Sequence, residues 1–295
     1  MKLNTSLEKF KNLHKKKQNQ IIFFSKDCRN YVFIENLYKF ILIKKNSFIF
    51  ESVEKGTIRG RYTIIGFDPD KIFDIKKNKI FINNFKKIKI VKKNIFSYLN
   101  QLIENFKVKI PANLPQMSSM LVGYFSYDII RLIEKIPNKC KNDINIPDIR
   151  LMRPKTLIIY DNLKKKIFFI QNIFKDQHIS NYKLEYQKIK NNLNDFIHFG
   201  NINLPSNFHK VHKKIKIKSN ISKSKFKNIV LEGKKYIKKG DIFQVVLSQR
   251  FQASIDKPPL EIYNTLRVLN PSPFMFYFNY KDFQILGSSP EILVR

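Results

Sequence analysis

The sequence of 295 residues contains no tryptophan and only two cysteines. Cys28 and Cys140 lie far apart and show no CxxC spacing, so neither a disulfide framework nor a zinc site is indicated. No apolar run reaches the roughly 18 to 20 residues that cross a bilayer, and the first apolar stretch, 21–24, is too short for a signal peptide. We therefore expect a globular protein of a reducing compartment, with the cytoplasm as the default location.

Short motifs that mark common enzyme classes are also missing. The chain has no GxGxxG, P-loop, HExxH, CxxC or GxSxG. Their absence argues against the commonest nucleotide, zinc and hydrolase sites. His209 and His212 have the spacing of a helical metal pair, but they lie in a polar stretch without a carboxylate beside them, so a solvated loop is the better interpretation.

The charge is strongly one-sided, with 56 Lys and Arg against 23 Asp and Glu and a formal net charge of +33. Such a balance is typical of nucleic-acid binders. Only nine of these residues are arginine, whereas base edges and phosphates are best recognised by the arginine fork. The lysines spread over nearly every predicted element, and the abundance of Lys, Ile, Asn and Phe fits a gene poor in G and C. We therefore interpret the charge as compositional and keep specific nucleic-acid binding as a minor alternative.

Alternating apolar residues predict antiparallel hairpins. KIFDIKKNKIFIN (71–83) forms two such runs around Lys77-Asn78, and residues 156–160 with 167–170 form another pair. GRYTIIGFDP, just before the first hairpin, is a β-branched run that Asp68-Pro69 closes with a turn.

Apolar residues at three- and four-residue spacing predict helices between these strands. One covers about 95–106, and another begins near Ser126, whose hydroxyl is suited to cap it. A lysine-rich helix starts near Ser222, and Gly240 stands where a helix-ending left-handed residue belongs.

The stretch KKGDIFQVVLSQRF (238–251) then predicts a strand. Phe243, Val245, Leu247 and Phe251 would share an apolar face. Gln244, Val246, Ser248 and Arg250 would share the other face, which is polar enough to meet solvent or a polar ligand.

Three short features are candidates for a functional role, although each also has a structural explanation. Glu51-Ser52 at a strand end is more often a satisfied surface pair. Pro271 and Pro273 in NPSP are by default a helix stop, but they also pre-organise nearby backbone groups for a ligand. Glu291 after Pro290 is a common helix start, where a carboxylate meets the positive helix end. Taken singly, none of these identifies a function.

Seven segments, taken together and in order, resemble anthranilate synthase component I, the large-subunit family within the chorismate-utilising enzymes. They are FIFES, GRYTIIGFDP, LVGYFSYDIIR, PDIRLM, IKKGDIFQVVLSQRF, NPSPFMFYF and LGSSPE. The resemblance runs from about Ser47 to the last residue.

The resemblance implies an enzyme of tryptophan biosynthesis that makes anthranilate and pyruvate from chorismate. It implies Mg²⁺ to hold the substrate carboxylate, and a glutamine amidotransferase subunit (component II) that delivers ammonia. It also implies an α+β fold of two stacked, mostly antiparallel sheets flanked by helices, with the catalytic portion truncated. The predicted divisions are an N-terminal region (1–46), an amino-terminal anthranilate-synthase-type region (47–200), a crossover (201–222) and the start of a chorismate-binding region (223–295).

By the same comparison, five residues match segments that form the family's feedback site for tryptophan: Glu51, Ser52, Pro273, Phe274 and Met275. Glu51 is suited to pair with the effector's amino group, and Phe274 and Met275 offer apolar and sulfur contact to an indole. Phe274 replaces the commoner Tyr, so one hydroxyl contact is lost. Glu291 is the residue placed nearest the chemistry, as an active-site wall or proton-handling group.

The family's catalytic His, its glutamates that bind Mg²⁺ and its chorismate-clamping residues correspond to positions beyond Arg295. We therefore expect the 295-residue chain alone to make no anthranilate, whether it is a truncated record, a decayed gene or half of a split enzyme. Val246 favours anthranilate synthase over aminodeoxychorismate synthase component I of the folate pathway, which usually carries Asn there. A residual tryptophan-binding or amidotransferase-docking module is the other alternative.

Overall fold

The computed structural model describes residues 2–42, 44–53, 60–76, 79–83, 85, 88–91, 94–139, 142–200, 215–292 and 294. The chain divides into two compact units. Unit 1 comprises Met1–Leu204 and Ile262–Arg295, and unit 2 comprises Pro205–Glu261. Most of the predicted crossover, including His209 and His212, lies outside the described residues, so the domain boundaries stay predictions.

Unit 1 is built on a ten-stranded sheet whose pairings are all antiparallel. Its strands are β1 (Gln20–Asp27), β2 (Ser47–Glu51), β3 (Tyr62–Lys76), β4 (Lys79–Asn83), β5 (Ile88–Val91), β6 (Val122–Phe125), β7 (Ile149–Asp161), β8 (Lys166–Ile173), β11 (Phe274–Asn279) and β12 (Gln284–Ser289). The main order is β1-β8-β7-β3-β2-β11-β12; β4 pairs with β3 and β5, and β6 pairs with β7. In unit 2, β9 (Ile217–Ser219) pairs with β10 (Phe251–Ala253).

Helices of unit 1 flank this sheet. They are α1 (Leu7–Lys15), α2 (Tyr31–Leu42), α3 (Ile95–Phe106), α4 (Tyr182–Gly200) and the greater part of α6 (Pro259–Leu269), with short 3-10 helices at Gln116–Ser118 and Tyr127–Leu132. Helix α5 (Lys223–Lys238) belongs to unit 2. The predicted α+β class, with a large antiparallel sheet, a small second sheet and flanking helices, is confirmed. In the described part of the chain, no helix is long and apolar enough to span a membrane.

Both predicted hairpins are present. In the second, Thr156 pairs with Gln171 and Tyr160 with Ile167, as alternation on both sides of the turn requires. In the first, Lys76 pairs with Lys79, while the turn at 77–78 lies outside the described residues.

The turn predicted at Asp68-Pro69 is wrong. Strand β3 continues through both residues, and its pairing with β7 shifts register between Pro69 and Lys71. Asp68 has a φ of 50°, a left-handed conformation that Asp tolerates and that is compatible with a β-bulge. The signal for a chain reversal therefore marks a local irregularity inside a long strand.

The helix over 95–106 is confirmed, with Asn94 accepting a hydrogen bond from the Ser97 amide at 3.1 Å. The helix predicted near Ser126 is a 3-10 helix, and the Ser126 hydroxyl makes no capping bond. That hydroxyl is buried and has no hydrogen-bond partner among the residues that the structure describes.

Aromatic side chains from neighbouring strands form the core that supports β2 and β11. Phe48 and Phe278 are 0% and 4% exposed, and their ring centroids lie 6.1 Å apart. Gly66 on β3 allows this packing, because a Cβ there would lie 2.1 Å from the Phe48 ring. Burial of these rings fixes which face of each strand points inward.

Two buried arginines bind strands together through carboxylate pairs. Arg150 on β7 donates to Asp74 at 2.7 Å through both Nε and Nη2, and its Nη1 donates to Asp282 in the β11–β12 turn at 3.3 Å. Arg153 makes a similar two-bond contact with Asp70, at 2.8 and 2.6 Å. Such bidentate pairs are strong and directional, so they fix β3 against β7, while the single contact with Asp282 adds a weaker link to the β11–β12 turn.

Unit 2 confirms the lysine-rich helix and contradicts the strand that was predicted to follow it. Ser222 caps α5, and Gly240 has a φ of +78°, as a helix-ending glycine requires. Residues 242–250 are not a strand, and Phe243 is fully exposed. The β9–β10 ladder covers three residue pairs only. A strand needs a neighbouring strand to pair with its backbone N–H and C=O groups, and alternation in the sequence does not provide one.

The predicted polar face of that segment therefore has no regular geometry. Gln244, Ser248 and Arg250 are all exposed. Gln249 instead contributes a side-chain hydrogen bond, from its Nε2 to the Ser219 hydroxyl at 2.7 Å. The three exposed side chains therefore meet solvent without forming the single polar face that the predicted strand would have given them.

Candidate functional site

The end of β2 and the start of β11 lie side by side, although they are far apart in the sequence. In the antiparallel register, Met275 is the direct partner of Glu51, and Phe276 is the partner of Phe50. The fold therefore brings together the two segments, 51–52 and 273–275, that the sequence analysis selected.

The selected residues divide between the two faces of the sheet. Glu51 and Met275 are cross-strand partners on one face, where they are 5% and 1% exposed. Phe274 precedes Met275, so its side chain points to the opposite face, where 39% of it is exposed. Ser52 and Pro273, next to the strand ends, are half-buried. A ligand that contacts both Glu51 and Phe274 must therefore reach around the strand ends.

Glu51 has two partners from helix α6. The Tyr263 hydroxyl donates a hydrogen bond to Glu51 Oε1 at 2.6 Å, and Arg267 Nε lies 3.0 Å from the same oxygen. The Glu51 side chain is only 2% exposed, so it needs such partners to compensate the loss of hydration. The carboxylate that we expected to meet an amino group is thus already paired within the chain.

Tyr263 and Arg267 were not selected from the sequence. They are four residues apart in PLEIYNTLRVL, which places them on one face of α6. Tyr263 also packs against Tyr277 of β11, with ring centroids 5.6 Å apart. Burial raises the pKa of Tyr277 above its ordinary value of 10.0. The helical spacing of Tyr263 and Arg267, just before NPSP, was the sequence signal that could have selected them. That spacing does not show that their partner is the distant Glu51 carboxylate.

The NPSP turn connects these elements by backbone hydrogen bonds. Helix α6 ends at Leu269, as the prolines predicted, and the Ser272 carbonyl accepts from the Val53 amide at 2.8 Å. The Ser272 hydroxyl accepts from the Phe274 amide at 3.2 Å. The turn therefore fixes the chain on both sides of the Glu51–Met275 pair.

Glu291 lies two residues beyond the end of β12. Because Ser289 pairs with Phe274, Glu291 follows the same end of the β11–β12 hairpin as the site just described. Its side chain is exposed, and its backbone carbonyl accepts from the Ser289 hydroxyl at 3.4 Å. Residues 290–292 are not helical, so the helix start suggested there is not seen among them.

Acidic and other metal-binding side chains do not cluster at this site. Across the described ranges, no group of three or more His, Cys, Asp or Glu residues could hold a metal ion. These residues do not fit the Mg²⁺ that the resemblance implies, and we derive no step through a metal.

Comparison with known proteins identifies the relatives of this chain. The profile of the family described as chorismate binding enzyme matches residues 45–295. Anthranilate synthase component 1 of Acetivibrio thermocellus is 37% identical over 253 residues, which cover 84% of this chain and 51% of that protein. Its counterpart in Cereibacter sphaeroides is 33% identical and covers 99% of this chain and 59% of that protein.

A solved structure gives the same result. Anthranilate synthase component I from Streptococcus pneumoniae TIGR4 superposes with a TM-score of 0.65 at 26% identity, over 81% of this chain and 52% of that one. The chain thus spans about half the length of the relatives that it matches. The resemblance inferred from the seven segments is confirmed, and the chain belongs to the chorismate-binding enzyme family.

Proposed function

We propose that this chain is part of component I of an anthranilate synthase, a cytoplasmic enzyme that converts chorismate and ammonia to anthranilate and pyruvate. The observation that carries the proposal is the pairing of Glu51 with Met275, which joins two of the seven segments that carry the resemblance inside a chain of the chorismate-binding family. The relatives cited above are anthranilate synthases, which supports the same reaction. A glutamine amidotransferase, component II, is the proposed source of ammonia.

We also propose that the β2–β11 junction binds tryptophan as a feedback inhibitor. Met275 supplies a polarizable, buried contact next to Glu51, and sulfur contacts to aromatic rings are favourable. The exposed Phe274 offers apolar surface at the strand end, and Ser52 offers a hydroxyl beside it. Together they provide a carboxylate and apolar groups for an aromatic amino acid.

Glu291 is the proposed contribution of this chain to the reaction centre. Its exposed carboxylate can line the chorismate site or handle a proton there. Mg²⁺ is the proposed cofactor of the complete enzyme, and its proposed ligands correspond to positions beyond Arg295.

The enzymatic proposal is tested by reconstitution. The chain is mixed with a fragment of the Acetivibrio thermocellus relative that contains the half this chain does not match, and anthranilate fluorescence is followed with chorismate, ammonium and Mg²⁺. We expect product from the mixture and none from either part alone. A mixture that associates but releases 4-amino-4-deoxychorismate, identified by chromatography, would assign the chain to the folate-pathway counterpart instead.

A further inference from the structure

The pairing of Glu51 with Arg267 is asymmetric in burial. The Glu51 side chain is 2% exposed, whereas the Arg267 side chain is 27% exposed. Tyr263, the other partner of the same oxygen, is 1% exposed. The carboxylate thus has one partner that is buried throughout, and a second whose paired Nε is buried while other parts of the side chain reach solvent.

This arrangement bears on how an amino-acid ligand can bind. An α-ammonium group that approaches Glu51 would meet the Arg267 guanidinium 3.0 Å from the same carboxylate oxygen. Two cations at one oxygen repel each other strongly where water is largely excluded. The ammonium can therefore pair with Glu51 only if the guanidinium moves away.

Arg267 has the partial exposure that such a movement requires, and Tyr263 does not. A long arginine side chain with partial exposure can turn its charged head into water while its aliphatic stem stays packed. Tyr263 is held between α6 and the Tyr277 ring and has no comparable route to solvent.

From this geometry we infer that Arg267 is the internal counter-ion of Glu51 in the effector-free chain, and that an effector's α-ammonium displaces it. Tyr263 is a positioning residue, which keeps the carboxylate oriented during the exchange. The inference rests on the proposed feedback site and specifies its ligand class: molecules with a free primary amine beside an aromatic ring. A ligand with the same ring and no amine gains nothing from the exchange.

The test compares two ligands on three chains. Calorimetry measures the affinity of wild type, Arg267→Gln and Tyr263→Phe for L-tryptophan and for 3-indolepropionate, which lacks the amine. Removing the competing cation is expected to raise the affinity of Arg267→Gln for L-tryptophan by about 2- to 5-fold, the contribution of a partly exposed ion pair. Tyr263→Phe is expected to lower it, and the affinity of Arg267→Gln for 3-indolepropionate should not rise.

The opposite signs separate this exchange from a structural role, under which both substitutions weaken binding. Thermal unfolding without ligand adds a double-mutant cycle of Glu51→Gln and Arg267→Gln. We expect the double variant to lose less melting temperature than the sum of the single variants, because the two side chains interact.

Each result has a distinct meaning. Additive losses in the cycle overturn the counter-ion pairing, whatever the ligands do. If wild type binds L-tryptophan and Arg267→Gln binds it equally or more weakly, the exchange fails while the proposed feedback site stands. If neither wild type nor Arg267→Gln binds L-tryptophan, the exchange and the feedback site fail together. The reconstitution assay alone then decides the enzymatic proposal.

Discussion

Gly60 stands against Ser52 so closely that a Cβ on Gly60 would lie 1.8 Å from the Cβ of Ser52 and 2.5 Å from its carbonyl oxygen. The contact involves backbone as well as side chain, so a methyl group cannot be accommodated by a rotamer change alone. Gly60 therefore limits where the chain can run immediately after β2.

Gly60→Ala should displace Ser52, destabilise the chain by about 1 to 3 kcal/mol and weaken tryptophan binding. Calorimetry and thermal unfolding measure the two effects. Gly200→Ala is the matched control, because its Cβ would lie 2.2 Å from the Phe33 ring on the helical side of the sheet. It should cost similar stability and leave the affinity unchanged. Equal affinity losses in both variants would show that the site responds only to general destabilisation.

Phe274→Tyr should raise the affinity for tryptophan. The Phe274 ring is 39% exposed, so a hydroxyl can be added with little change in stability, and it would supply the hydroxyl contact that the resemblance implies is lost here. One added hydrogen bond contributes about 0.5 to 1.5 kcal/mol, or roughly 2- to 12-fold in affinity. Phe125→Tyr, at a similarly exposed ring on β6, is the control and should change nothing. A Phe274→Tyr chain with unchanged affinity would place the effector away from this ring.

Arg150→Met should destabilise the chain by about 3 to 5 kcal/mol, since it leaves the partly buried Asp74 carboxylate without its bidentate partner. Asp282→Asn is the matched control, because it removes the charge of the other carboxylate that pairs with Arg150. Asp282 is 58% exposed, so that variant should cost less than about 1 kcal/mol. Urea denaturation measures both. Similar losses in the two variants would mean that Arg150 stabilises the fold mainly through the β11–β12 turn.

The antiparallel hairpins were predictable because their information is local. Alternation on either side of a basic turn predicted that residues 156–160 pair with 167–170, as β7 and β8 do, and the same reasoning succeeded for β3 and β4. Alternation failed at 242–250, where a regular strand depends on a partner that no local pattern specifies. At Asp68-Pro69 the residues of a turn occur in a bulge, because pairing with β7 continues on both sides.

The candidate site was predictable only in part, for a related reason. Segment resemblance identified Glu51 and Met275, and sheet formation brings them together. The partners of the Glu51 carboxylate, Tyr263 and Arg267, come from a helix that reaches β2 only in the folded chain. A tertiary contact of this kind leaves no periodicity in the sequence beyond the spacing of the helix itself.

Acid should remove a stabilising contribution from Asp176. Burial alone would raise the pKa of its carboxyl group, but hydrogen bonds from Arg153 and Lys71 hold the pKa below its usual value of 3.8. A carboxyl with a lowered folded-state pKa stabilises the fold above the unfolded pKa and loses that contribution as pH falls through the folded one.

Asp176→Asn should therefore be less stable than wild type at neutral pH, and the difference should shrink as pH falls below about 3.8. Urea denaturation across that pH range measures it. A difference that stays constant with pH would show that the asparagine acts through packing and not through lost charge.

Hydrogen–deuterium exchange with and without L-tryptophan tests most directly whether the β2–β11 junction is an effector site. Saturating tryptophan should slow amide exchange in residues 50–53 and 272–276. The exchange rates in the β7–β8 hairpin should be the same with and without ligand. Saturable binding that protects a different part of the chain, or no binding at all, would contradict the account.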